Sequence, residues 1–62
     1  MSNWIAETVG LMHINKITNI ELGQEMGVTP QYISEILNEK KSPKDIEPRV
    51  RAALQRIISN RG

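Results

Sequence analysis

The 62-residue sequence contains no cysteine and no phenylalanine, and only one tryptophan, one tyrosine and one histidine. Without thiols it can form neither a disulfide framework nor a thiolate metal site. His13 has no cysteine or acid cluster beside it at ligand spacing, so no metal centre is expected and it reads as a surface histidine. A lone Trp4 makes no platform for stacked bases and reads as a core or interface anchor. There is no glycine-rich phosphate loop, and Ser34 and Ser42 lack the surroundings of an activated nucleophile. An enzyme is therefore not expected, nor a cofactor or a small-molecule substrate. No apolar run approaches the ~18 residues that span a bilayer. Asn3 to Glu7 places an acid where a signal peptide would carry a basic flank. The expectation is a soluble cytoplasmic protein with no membrane partner.

A chain this short buries only about 60% of the surface its unfolded form exposes, so one small domain over residues 1–62 is expected. With no staple, stability must come from helix packing, from oligomerisation, or from both. The net charge is only +1, but its distribution is uneven. Residues 1–39 hold one base, Lys16, against Glu7, Glu21, Glu25, Glu35 and Glu39, a net charge of −4. Residues 40–62 hold seven bases against Asp45 and Glu47, a net charge of +5. Such asymmetry signals either an anionic partner or two halves that attract each other in the fold.

The apolar spacing is helical throughout. Trp4, Ile5, Thr8, Val9, Leu11 and Met12 recur at three- and four-residue intervals, with Ser2 or Asn3 available as a cap and a fading end near His13 to Asn15. Thr18-Asn19-Ile20-Glu21 matches a capping box, with Ile17 and Leu22 placed as its hydrophobic staple. Gly27 suits the left-handed position that closes this second, short helix. Thr29 then caps a third helix with Pro30 at its first position, where the missing N–H removes no hydrogen bond. Ile33, Ile36 and Leu37 form the buried stripe of that helix, which should end near Asn38. A fourth helix should start between Asp45 and Arg49, with Ile46, Val50, Ala53, Leu54, Ile57 and Ile58 on one face.

Two short helices joined by a glycine-containing turn define a helix-turn-helix. Gly23 would let the two helices cross closely, and Gly27-Val28 would make the turn. Residues 18–38, TNIELGQEMGVTPQYISEILN, resemble the helix-turn-helix of the phage repressor and Cro family of XRE-like regulators. The continuation EKKSP is similar to the family's Asn-Gly-Lys-x-x-Pro ending, and DIEPRVRAALQRII to the closing helix of short members found in phages and other mobile elements. The resemblance implies an all-α, compact four- to five-helix domain with a central helix-turn-helix of lambda-repressor type. It implies a sequence-specific regulator that binds double-stranded DNA. The sequence departs from the pattern at Glu39, where the family often has glycine.

A major groove about 12 Å wide admits one helix, and the second helix of such a motif enters it. With Ile33, Ile36 and Leu37 turned inward, the opposite face presents Gln31, Tyr32, Glu35 and Asn38. By resemblance, Gln31, Tyr32 and Glu35 occupy positions that meet base edges. The amide of Gln31 can bond adenine N6 and N7 together, which is worth roughly 1–3 kcal/mol of discrimination. Tyr32 can reach a phosphate or a thymine methyl, or cover the edge of the core. Glu35 has one useful base partner, the cytosine amino group, and alternatively pairs with a lysine or rejects wrong sequences. Asn19, Thr29, Asn38, Lys40 and Lys41 are the expected phosphate contacts, which position the protein without reading sequence.

The apolar face of the last helix is most simply the lid on the core. A surplus of Leu54, Ile57 and Ile58 could also self-associate, giving a two-fold homodimer with recognition helices about 34 Å apart on a palindromic operator. The competing expectation is a small protein-interaction module, such as an antirepressor, inhibitor or assembly factor, that keeps the fold without binding DNA.

Overall fold

The computed structural model describes residues 2–61, which form four α-helices. These are α1 (Asn3–Ile14), α2 (Asn19–Met26), α3 (Pro30–Leu37) and α4 (Ile46–Arg61). No strand occurs among the described residues. Helix α4 is the longest, and both α1 and α2 pack on it, while α2 also packs against α3. Its spacing explains this central place. Ile46, Val50, Ala53, Leu54 and Ile57 all fall on one side and are all buried. They meet Leu22 from α2, Ile33 and Ile36 from α3, and Met12 and Ile17 from α1 and the segment after it. Leu22 is fully enclosed, and burying one such side chain contributes about 1.5–3 kcal/mol. Trp4, Met26, Val28, Tyr32, Leu37 and Ile58 are half-buried around this cluster.

Local chemistry fixes where α2 and α3 begin. The Thr18 hydroxyl accepts the Glu21 N–H at 3.1 Å, and the Thr29 hydroxyl accepts the Tyr32 N–H at 3.1 Å. Each satisfies one of the free donors at a helix start. Only half of the expected capping box forms, because the Glu21 carboxylate turns to Arg61 instead of back to Thr18. Ser2 caps α1 by position but gives it no side-chain bond. Its hydroxyl and N–H donate to the Glu39 carboxylate, at 2.6 and 3.0 Å.

Three helices end in the same way. After α1, α2 and α3 the chain turns through a left-handed residue: Lys16 (φ 56), Gly27 (φ 74) and Glu39 (φ 60). The next residue donates its N–H five residues back, from Ile17 to Met12, Val28 to Gly23 and Lys40 to Glu35, each at 2.8 Å. This is the Schellman pattern, in which the turn satisfies carbonyls the helix leaves open. Glycine adopts that conformation without a steric penalty; a residue with a Cβ loses roughly 1–2 kcal/mol.

The α2–α3 crossing depends on Gly23. A Cβ built there would lie 2.6 Å from the Val28 carbonyl oxygen and 3.3 Å from the Thr29 carbonyl carbon. The returning chain therefore lies directly against the backbone of α2.

Of the residues that recur at helical spacing in α1, Ile5, Thr8 and Met12 are buried, while Val9 and Leu11 are 41% and 38% exposed. One sequence expectation is corrected here. Leu54 and Ile57, offered as a dimer surface, are 2% and 5% exposed and belong to the core of the single chain. A dimer contact through them would require opening that core; of the three, only Ile58 retains surface.

The charge asymmetry is largely resolved inside the fold. Arg51 pairs with Glu7 at 2.8 Å and with Glu47 at 3.0 Å, Arg56 pairs with Glu25 at 2.7 Å, and Arg61 pairs with Glu21. Acids of the first half thus hold three arginines of the second against the helix layer beneath. Each pair is solvent-exposed and contributes little alone, typically 0.2–1 kcal/mol.

Candidate functional site

The sequence points to α3, and its surroundings explain what the helix can present. Ile33 and Ile36 are each 1% exposed, and they fasten one side of α3 to α2 and α4. Gln31, the residue after Pro30, is exposed, and its side chain makes no hydrogen bond among the described residues. One free amide at the start of a short, rigidly seated helix can donate and accept simultaneously toward a ligand edge. Thr29 is exposed, but its oxygen already serves as the cap.

Tyr32 and Glu35 lie differently. Both are half-buried, Tyr32 packs against the core, and both touch Lys41. The Lys41 ammonium stands 3.4 Å from a Glu35 carboxylate oxygen and 5.4 Å from the centre of the Tyr32 ring. Backbone geometry produces this cluster. The left-handed Glu39 reverses the chain, so the N–H groups of Lys40 and Lys41 both donate to the Glu35 carbonyl, at 2.8 and 3.3 Å. That return carries the Lys41 side chain back over the helix it has just left. Of the alternatives open for Glu35, pairing with a lysine is the one the geometry contains.

The expected phosphate contacts divide into committed and free groups. The Asn38 amide donates to the Ser34 carbonyl at 2.8 Å and to the Ser34 hydroxyl at 3.3 Å, so its donors help to end α3. Asn19 is the half-buried first residue of α2, where backbone N–H groups lack helical partners. Lys40 is exposed and, among the described residues, has no ion pair. The same holds for Lys16, Lys44 and Arg49. Lys44 and Arg49 were not singled out by sequence reasoning. Asp45 precedes Arg49 by four residues, a spacing that reads as a pair, yet the two side chains do not meet.

One charged group at the site is perturbed. The hydrogen bonds from the Ser2 hydroxyl and N–H hold the Glu39 carboxyl below the ordinary carboxylate value. These bonds tie the end of α3 to the start of α1. Among the described residues no group of three or more histidine, cysteine or acid side chains is placed to hold a metal ion. Among the described residues no helix is long and apolar enough to cross a membrane.

Compared with protein-family models, with curated proteins and with solved structures, the chain finds no match. What it can do must therefore be argued from its own residues.

Proposed function

We propose that the chain is a sequence-specific double-stranded DNA-binding regulator, with α2 and α3 forming a helix-turn-helix of the phage repressor and Cro type. In this reading α3 enters the major groove and α2 crosses the backbone. The observation that carries it is the seating of α3. Two buried isoleucines and a close crossing at Gly23 fix a helix of eight residues whose first turn offers one unengaged amide, Gln31. Gln31 reads a base edge, while Asn19 and Lys40 meet phosphates. The regulator acts as a homodimer on a palindromic operator, through a surface other than Leu54 and Ile57. The resemblance of residues 18–38 to that family points the same way.

Selection from random duplexes followed by a salt titration tests this. A regulator enriches a short palindrome, and its affinity falls steeply with salt because bound phosphates release counterions. Gln31→Ala relaxes preference at one base pair per half-site, whereas Lys40→Ala weakens all sequences alike and reduces the salt slope by about 1. No enrichment and no salt dependence would sink the reading.

A protein-interaction module on the same fold is the second reading, and one observation favours it. Arg51, Arg56 and Arg61 are paired with acids and so offer little positive field to a polyanion.

A further inference from the structure

The acid on the outer side of α3 calls for a role, because a carboxylate beside DNA is repelled by phosphate. We infer that Glu35 occupies on Lys41 the place of a DNA phosphate, and that this internal pair suppresses sequence-independent attraction to DNA. The inference rests on the DNA-binding reading above and specifies how that site is regulated.

Three observations carry it. The Glu35 carboxylate lies 3.4 Å from the Lys41 ammonium, close enough to offset its charge locally as a phosphate would. The Tyr32 ring lies beneath the same ammonium, with its centre 5.4 Å away, and the negative face of the ring favours a cation there. The paired N–H bonds from Lys40 and Lys41 to the Glu35 carbonyl set the backbone that brings the two side chains together. The helix ending therefore brings the two residues close together, and their side chains complete the pair.

Its strength is suited to exchange. The Lys41 side chain is 51% exposed and that of Glu35 31%, so water screens the pair. An exposed pair of this kind shifts an equilibrium by a factor of roughly 1.5 to 5. A phosphate held in register by the rest of the interface can displace the carboxylate. A phosphate met at random meets a locally neutral pair. Glu35 is thus a specificity-determining residue acting through Lys41, and it lowers affinity for wrong sequences more than it adds affinity for the right one.

A double-mutant cycle tests this, with the wild-type chain, Glu35→Gln, Lys41→Ala and the double variant titrated against random duplex DNA and the selected duplex. Circular dichroism melts confirm that all four are folded. Glu35→Gln should bind random duplex roughly two- to fivefold tighter at 0.1 M salt, with a salt slope steeper by about 0.9. The ratio of selected to random affinity should fall. In the Lys41→Ala background most of that gain should vanish, because the freed cation is no longer present. Three results overturn the inference. A gain equal with and without Lys41 makes Glu35 a bare repulsive charge. A changed preference at one base pair in Glu35→Gln makes it a base reader. A random-duplex affinity that does not rise removes the suppression altogether. If the wild-type chain binds no duplex, the DNA-binding reading itself fails, and this inference falls with it.

Discussion

Gly23→Ala and Gly10→Ala make the same chemical change in two helices, and the structure assigns them opposite signs. Replacing glycine by alanine inside a helix is intrinsically favourable by roughly 0.5–1 kcal/mol, because alanine loses less backbone entropy on folding. At Gly10, on α1, a Cβ would meet nothing within 4 Å, so that gain is fully realised. For a chain of this size it corresponds to a melting temperature about 2–8 °C higher. At Gly23 the new Cβ lies 2.6 Å from the Val28 carbonyl oxygen, with Thr29 carbon and Pro30 nitrogen at 3.3 and 3.4 Å. All three are backbone atoms. None can move aside by a rotamer change, and the Val28 N–H is itself bonded to the Gly23 carbonyl at 2.8 Å. Relief requires α2 and α3 to separate, which loosens Leu22, Ile33 and Ile36.

Overpacking of this kind typically costs about 1–3 kcal/mol. The total stability expected for such a chain is only about 3–9 kcal/mol. Gly23→Ala should therefore lower the melting temperature by roughly 5–20 °C while remaining foldable. Thermal melts of the two variants and the wild-type chain at one concentration decide the matter. If Gly23→Ala stabilises as Gly10→Ala does, the close α2–α3 crossing is wrong. The seating of α3 argued from it would be wrong as well.

Two further outcomes concern the fold. Leu54→Ala should destabilise by about 2–5 kcal/mol, as a buried leucine truncation does, and the loss should be the same at low and high protein concentration. A loss confined to high concentration would restore Leu54 to a dimer surface. Glu39 has a folded pKa below its ordinary 4.5 because Ser2 donates two hydrogen bonds to it. Its contribution is therefore complete above the unfolded pKa and is lost as pH falls through the lower folded value. Glu39→Gln should flatten that acid limb of the melting-temperature profile and leave the neutral region with a small constant offset; an unchanged acid limb refutes the assignment.

Elements governed by short-range chemistry were readable in the sequence, and those governed by long-range pairing were not. The starts of α2 and α3 were legible because Thr18 and Thr29 are good caps immediately before helical spacing begins. The end of α2 was legible because its left-handed residue is a glycine. The equivalent residues after α1 and α3 are Lys16 and Glu39, which carry no turn signal, so those endings could be placed only by the fading of apolar residues. The departure at Glu39 could be seen in the sequence, but its meaning required the backbone. It is the left-handed residue after α3, where a side chain carries a steric penalty that glycine would not, and the side chain there has a structural partner in Ser2. The periodicity of α4 identified an apolar face without saying how much of it α1 and α2 cover. That is why Leu54 and Ile57 looked like surplus.

Charge carries the same lesson into function. The arginine–glutamate pairs that join the two halves of the chain link residues 31 to 44 apart in sequence, so no local pattern distinguishes them from a basic surface. Once formed, they leave Lys16, Lys40, Lys44 and Arg49 as cations without an ion pair among the described residues, with Lys41 held by Glu35. If every one of these four met a phosphate and Lys41 exchanged Glu35 for a fifth, the salt slope per chain would be about −4.5. A slope of that size marks a modest electrostatic contribution. On the proposed reading, affinity must then come also from base contacts at the start of α3 and from doubling the site across a two-fold axis. A carboxylate that removes one more cation from the general attraction is consistent with that design. On that reading it sharpens the difference between right and wrong sequences where the electrostatic contribution is modest.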